Sequence, residues 1–290
     1  MTDEERIDAT LRLYGETREG KRYLDLQGGS LWYVDAAGQN QRMTAYVAPE
    51  EAREEAMLRI GAMMRYAFPR FADATVAGWQ VGSDAFADVR REIKSRIISW
   101  TKETAARGSG LRTLVLAGAP GCGKTHLACA VATGLVRLGT QPNTQGQRWI
   151  APTLDAWNAG ELVKAHRATW RDARLMDPIP RAIAADVLML DELGVQRGTA
   201  ETMRTLYEVI DGRYRRGDGV MILPTNATAV GTIDETFWRS LLSGDDEASP
   251  HVDRIASRLS ENATVIPFGR MTAGGFESLP DWRKEGIDDD

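Results

Sequence analysis

Apolar and polar positions change their period along the chain. Tyr23-Leu-Asp-Leu and Leu31-Trp-Tyr-Val alternate on either side of Gly28-Gly-Ser, the pattern of a β-hairpin around a glycine turn. From Pro49 to Tyr66 the period becomes helical, with Ala56, Met57, Ile60, Met63, Met64 and Ala67 along one stripe. Pro49 suits the first turn, where a missing N–H costs nothing. The Met-rich stripe reads either as core or as an adaptable partner-binding face. Residues 67–83 carry Pro69, Gly78 and Gly82 and read as an irregular connector. Asp84 to Arg107 reads as a helix with Phe86, Val89, Ile93, Ile97 and Trp100 on one side. Arg90, Arg91, Lys94 and Arg96 form a basic, solvated face on the other.

Beyond Gly110 short apolar runs and helical periods alternate. Strands are expected at Leu111–Ala117, Arg148–Ala151, Asp186–Asp191, Val220–Pro224 and Thr264–Phe268. Helices are expected at Lys124–Leu138, from a Thr153 cap through Lys164, and at Ala200–Arg216 and Val252–Ser260. Such alternation predicts an α/β fold, a parallel sheet covered by helices on both faces. The organisation that follows is a small α+β unit at 1–66, a domain at 67–284 with its leading connector and helix, and an acidic tail at 285–290.

Composition narrows the class. The 290 residues are 43% hydrophobic and 27% charged, as in globular proteins, with 36 Lys+Arg against 41 Asp+Glu. The net charge of -5 argues against indiscriminate coating of nucleic acid but leaves room for a local basic path. No apolar run is long enough to span a membrane. Met1–Glu5 is acidic and lacks the apolar core of a secretory signal, so a cytoplasmic protein without a membrane partner is expected. Two cysteines and three scattered histidines cannot assemble a structural zinc site, so no zinc is expected.

The chemistry begins at Gly118-Ala-Pro-Gly-Cys-Gly-Lys124-Thr125, which fits G-x-x-x-x-G-K-[ST] between a strand and a helix. Glycines let backbone N–H groups curl around phosphate oxygens, and the helix start adds its positive end. Lys124 would reach the β- and γ-phosphates, and the Thr125 hydroxyl would ligate Mg²⁺. Val187-Leu-Met-Leu-Asp191-Glu192 places Asp191 at the C-terminal end of a buried strand, where ligands gather in open α/β sheets. Asp191 can hold Mg²⁺, and Glu192 can orient and deprotonate an attacking water. Val220-Met-Ile-Leu-Pro-Thr-Asn226 offers a further strand-end amide to fix that water or sense the γ-phosphate. Arg254 and Arg258, four apart on one helix face, are either surface ion-pair partners or a finger supplied to a neighbouring subunit.

These residues resemble the DnaC/IstB-like branch of the AAA+ ATPases. The match runs through Gly118-Ala-Pro-Gly-Cys-Gly-Lys-Thr-His-Leu-Ala, Leu190-Asp-Glu-Leu-Gly-Val-Gln196 and Tyr207-Glu-Val-Ile-Asp-Gly-Arg-Tyr214. It continues through Pro224-Thr-Asn226 and Arg254-Ile-Ala-Ser-Arg258-Leu, and covers about Phe68 to Phe268. The resemblance implies an AAA+ P-loop core with a five-stranded parallel sheet flanked by helices. It assigns Gly118, Ala119, Pro120, Gly121, Cys122, Gly123, Lys124, Thr125 and His126 to nucleotide binding. It makes Asp191 and Glu192 the Walker B pair, Asn226 sensor 1, and Arg258 rather than Arg254 the finger. Arg270 and Arg283 compete for sensor 2, because Met271–Leu279 looks like an insertion. Gln141–Gln147 and Leu241–Pro250 look like added surface loops.

The same resemblance implies ATP and Mg²⁺ as cofactors and a homo-oligomer formed through AAA+ interfaces. Its replicative-helicase loaders engage a DnaB-type helicase, here through residues 1–66, and single-stranded DNA. The segment Trp157–Arg174 brings Lys164, Arg167, Trp170, Arg171 and Arg174 together, cations and a stacking ring suited to a single strand. A solvated helix with Trp170 packed as core is the other reading. Arg213–Arg216 is a second basic cluster, at a helix end where cations also complement the dipole. An IstB-like transposition helper assembling on duplex DNA is the nearest rival function. A non-hydrolysing ATP switch and a small-molecule kinase are more distant.

Overall fold

The computed structural model describes every residue except 28, 108–109, 143–148, 195–198, 227–234, 243–248 and 282–290. The expected added loops at Gln141–Gln147 and Leu241–Pro250 fall largely outside the described residues, and the acidic tail and Arg283 fall wholly outside them. The chain divides into two compact units, Met1–Leu58 with Gly139–Ala151, and Arg59–Leu138 with Pro152–Asp290.

In the first unit, α1 (Asp3–Leu13) starts at a reciprocal cap. The Thr2 hydroxyl accepts from Glu5 N and the Glu5 carboxylate accepts from Thr2 N. Its buried Ile7 and Leu11 pack on Leu31, with Leu24, Leu26 and Met43 around them. Those last residues belong to an antiparallel sheet of β1 (Arg22–Gln27), β2 (Ser30–Val34) and β3 (Asn40–Thr44). The β1–β2 pair is the expected hairpin. Helix α2 (Pro49–Ala67) starts in this unit and ends in the second. It buries Ala52, Ala56, Ile60 and Met64, every fourth residue, and leaves Met57 and Met63 at the margins.

In the second unit, α3 (Ala87–Ala106) precedes β4 (Arg112–Ala117) and α4 (Lys124–Leu138). A short antiparallel pair, β5 (Gln141–Pro142) and β6 (Trp149–Ile150), clusters with the first unit. Then follow β7 (Leu154–Asn158), α5 (Ala159–Thr169), α6 (Pro178–Ala184), β8 (Val187–Asp191), α7 (Ala200–Arg216) and β9 (Val220–Thr225). The remainder is α8 (Glu235–Leu242), α9 (Ser249–Glu261), β10 (Ala263–Pro267) and a hairpin of β11 (Gly269–Thr272) and β12 (Gly275–Ser278). Five of these strands form one parallel sheet in the order β10-β4-β9-β8-β7.

Strand alternation sets the layers. Val115, Ala117, Leu188, Leu190, Met221 and Leu223 face a core built with α5, α6, α7, α8 and α9. On the opposite face α4 packs on β4, β8 and β9, and α3 packs on α4. No helix among the described residues is long and apolar enough to cross a membrane.

The expected second strand is corrected. Within the expected Arg148–Ala151, Trp149–Ile150 forms β6 of the short β5–β6 pair, and the sheet strand is β7, which was expected to begin a helix. Asp155 disguises it: this carboxylate is buried inside β7, paired with Arg181 and accepting from Trp157 Nε1. Thr153 does not cap a helix; its N and Oγ1 donate to Asp186. The basic face of α3 is also corrected in part. Arg90 is fully buried and donates to Asp84 and Val81 O, while Lys94 caps the carbonyls of Ala77 and Trp79. Arg213 is buried too, and caps the C-terminal end of α6 through the carbonyls of Ala182, Ile183 and Ala185.

Candidate nucleotide-binding site

Because the sheet is parallel, the C-terminal ends of β4, β7, β8 and β9 lie along one edge, with Ala117 beside Thr225 and Asn158 beside Asp191. A cavity of about 560 Å³ opens there between Pro120, Gly121 and residues 123–126, Asp191 and Glu192, and Thr225 and Asn226. The loop from Gly118 is anchored by Gly118 N donating to Thr225 O. Gly121 and Gly123 have φ of 80° and 90°, a region in which side chains are strained. A Cβ on Gly123 would also lie 2.3 Å from Trp79 Nε1. Lys124 is buried, and its Nζ donates to Ala119 O at 2.6 Å. No carboxylate among the described residues forms an ion pair with it. A buried cation that no carboxylate pairs with directly, at a helix N-terminus behind a glycine-rich loop, suits a phosphate anion.

The Thr125 hydroxyl donates to Asp191 Oδ2 at 2.9 Å, so both proposed Mg²⁺ ligands already touch. Burial pushes the Asp191 carboxyl above its ordinary range, against the hydrogen bond from Thr125 and the charge of Lys124. A divalent cation suits such a desolvated carboxylate beside a hydroxyl. Glu192 has φ of 59°, a left-handed conformation rare outside glycine, and is the one such residue among those described. Backbone strain of this kind clusters at functional sites. Its N–H bonds to Asp191 Oδ1, and its carboxylate accepts from Asn158 Nδ2 at 2.6 Å. Asn158 also caps α5, accepting from Gly160 N at 2.9 Å. Asn226 borders the same cavity.

Sequence reasoning missed two groups here. Asn158 is hidden in the sequence because the β7 segment reads as the start of a helix. The other group comes from the connector: Arg70, Phe71, Trp79 and Gln80 also line the cavity. His126 ties that segment to α4, its Nε2 lying 2.9 Å from Thr75 O and its ring edge-on to Phe71. Trp79 stands edge-on to Phe268. The signal was present as an isolated Trp between two glycines in an otherwise irregular stretch.

The remaining candidates lie elsewhere. Arg254 and Arg258 are on α9 and do not line the cavity. Arg270 sits on the β11–β12 hairpin, paired with Glu277 and donating to Ala85 O, and does not line the cavity either. Cys122 and Cys129 are buried free thiols. On and after α5, Lys164 pairs with Glu161, Arg167 with Glu201 and Arg174 with Asp172. Trp170 is not core: it is 59% exposed, with its ring edge-on to His166. Arg171 next to it is exposed.

A family model described as IstB-like ATP binding protein matches residues 37–266. Among curated proteins, the uncharacterized protein YdaV of Escherichia coli (strain K12) is 29% identical over 106 residues. That stretch is 36% of this chain and 38% of YdaV, well under half of the relative's length. Among solved structures, DnaI is 18% identical with a TM-score of 0.50, over 69% of this chain and 94% of its own. The DnaC helicase loader is 17% identical with a TM-score of 0.46, over 68% of this chain and 97% of its own. At such identities the DnaI likeness is one of fold.

Proposed function

Because this chain belongs to the family of IstB-like ATP-binding proteins, we propose that it is an ATPase that loads a replicative DnaB-type helicase onto single-stranded DNA. The observation that carries the ATPase reading is the meeting of Lys124, Thr125, Asp191, Glu192 and Asn226 around one cavity. Lys124 and the loop amides hold the phosphates, and Asn226 orients the attacking water. Glu192 accepts that water's proton. Thr125 and Asp191 would hold Mg²⁺, which when bound would neutralise charge at the phosphates. Arg258 completes the site of a neighbouring subunit, which accounts for its place on α9 away from the cavity of its own chain.

Single-stranded DNA is favoured over duplex by Trp170. An exposed indole beside Arg171 offers a stacking face, and only unpaired bases present their faces to it. The N-terminal unit is the part assigned to the helicase. Assembly on duplex DNA with a transposase is the second reading, and the family match to IstB-like proteins favours it.

Lys124→Ala abolishes nucleotide binding, and Glu192→Gln binds ATP without turnover; normal hydrolysis in either variant refutes the site. The partner is tested by the solution mass of the full chain mixed with the host's replicative helicase and ATP. A joint complex supports loading. No complex under any nucleotide condition, with tighter binding to duplex than to single-stranded DNA, moves the assignment to the transposition helper.

A further inference from the structure

Arg258 is held in place before any neighbour arrives. Tyr207, Asp211 and Tyr214 share one face of α7, and α9 packs against that helix. Arg258 Nε donates to Asp211 Oδ1 at 2.6 Å, and its Nη2 lies 2.5 Å from the same oxygen. The Tyr207 and Tyr214 ring centroids lie 5.4 and 5.2 Å from the guanidinium carbon. The Tyr214 hydroxyl is fixed in turn by Glu261. One edge of the guanidinium is therefore bound, two aromatic rings lie against it, and among the described residues Nη1 makes one long bond, 3.3 Å to Arg254 O.

A lone surface arginine would spend its rotamer freedom on reaching a phosphate. Here that freedom is already spent, and the charge is still available because Asp211 is shared. Its other oxygen pairs with Arg215 at 2.9 Å. The Asp211 side chain is buried, and Arg215 on its own helix already balances its charge, so burial alone does not call for Arg258.

We infer that Asp211 is a positioning residue for Arg258, orienting its guanidinium so that the weakly held Nη1 edge can meet the nucleotide of an adjoining subunit. The inference rests on the proposed ATPase with sites shared between subunits. Asp211→Asn keeps the shape and removes the charge that orients Nε and Nη2.

The test is ATP turnover of full-length subunits, alone and mixed. Asp211→Asn is expected to bind ATP with unchanged affinity and melt near the wild-type temperature, yet lose about ten-fold in kcat. It is expected to add nothing to Arg258→Ala. Mixing it with Lys124→Ala subunits, which carry an intact arginine but no working site, is expected to restore turnover. Mixing it with Arg258→Ala subunits restores nothing if both defects lie on the donated side. Wild-type kcat in Asp211→Asn, or recovery on mixing with Arg258→Ala, overturns the inference and leaves the shared-site reading standing. Full turnover in Arg258→Ala removes that reading and the inference with it.

Discussion

Asn158→Ser isolates the restraint on the hydrolytic carboxylate. Asn158 does two things: its Oδ1 caps α5 and its Nδ2 holds Glu192 at 2.6 Å. Serine can still cap, because its hydroxyl accepts from the same first-turn amides, but it cannot reach Glu192. In the proposed proton transfer Glu192 would turn from Asn158 toward water, so this hydrogen bond would stand between its resting and working positions. Glu192 is exposed, so water replaces part of the lost bond, and its net worth is about 1 kcal/mol. That corresponds to a roughly five-fold rise in basal ATP turnover. The assay is phosphate release at saturating ATP and Mg²⁺, with nucleotide affinity measured in parallel. Asn158→Ala is the control; it should also lose about 1 kcal/mol of stability as the cap goes. Unchanged or slower turnover in Asn158→Ser, with affinity intact, refutes the restraint and makes Asn158 a support for the active carboxylate instead.

Gly123→Ala puts a Cβ against Trp79 Nε1 at a φ of 90°; nucleotide affinity should fall at least about ten-fold, read by titration with a fluorescent ATP analogue. Arg213→Met strips hydrogen bonds from the carbonyls of Ala182, Ile183, Ala185 and Val220 in a buried site. Urea unfolding should show a loss of about 3 kcal/mol or more, and a change under 1 kcal/mol would contradict the capping role. The hydrogen bond from Arg90 holds the Asp84 carboxyl below its ordinary range. Its contribution to stability is therefore complete above that range and disappears as pH falls through the lowered value. Asp84→Asn should melt earlier than wild type at neutral pH, and the gap should close on acidification.

Helices whose punctuation is written in neighbouring residues were legible almost to the residue. α4 follows a glycine-rich turn, and α7 runs from its Thr199 cap to Gly217 in the left-handed conformation. Burial was less legible, because it depends on what the topology brings alongside. Arg90 and Arg213 look like solvated cations in sequence and are fully buried. α6 was missed because Pro178-Ile-Pro180 reads as a break, although Asp177 caps it and proline suits its first turn. β3 was missed because Asn40–Thr44 is polar and leaves one face to solvent.

The site shows the same division more sharply. Lys124 and Thr125 are adjacent at the start of α4, and Asp191 and Glu192 at the end of β8, so local spacing records each pair. Asn158 lies 34 residues before Glu192, and Asp211 lies 47 before Arg258. Nothing local links either pair. In a parallel sheet, though, strand placement fixes which residues share the working edge. Ending the second strand at Ala151 would set an apolar methyl beside Asp191. Ending it at Asn158 sets there an amide that can hold Glu192. A shift of seven residues in one strand therefore removes a restraint from the site without disturbing the fold class. The buried Asp155 that caused the shift forms an ion pair with Arg181 of α6. Asn158 is thus hidden for a physical reason: a strand that carries a charge into the core can be recognised only together with the helix that pairs with it.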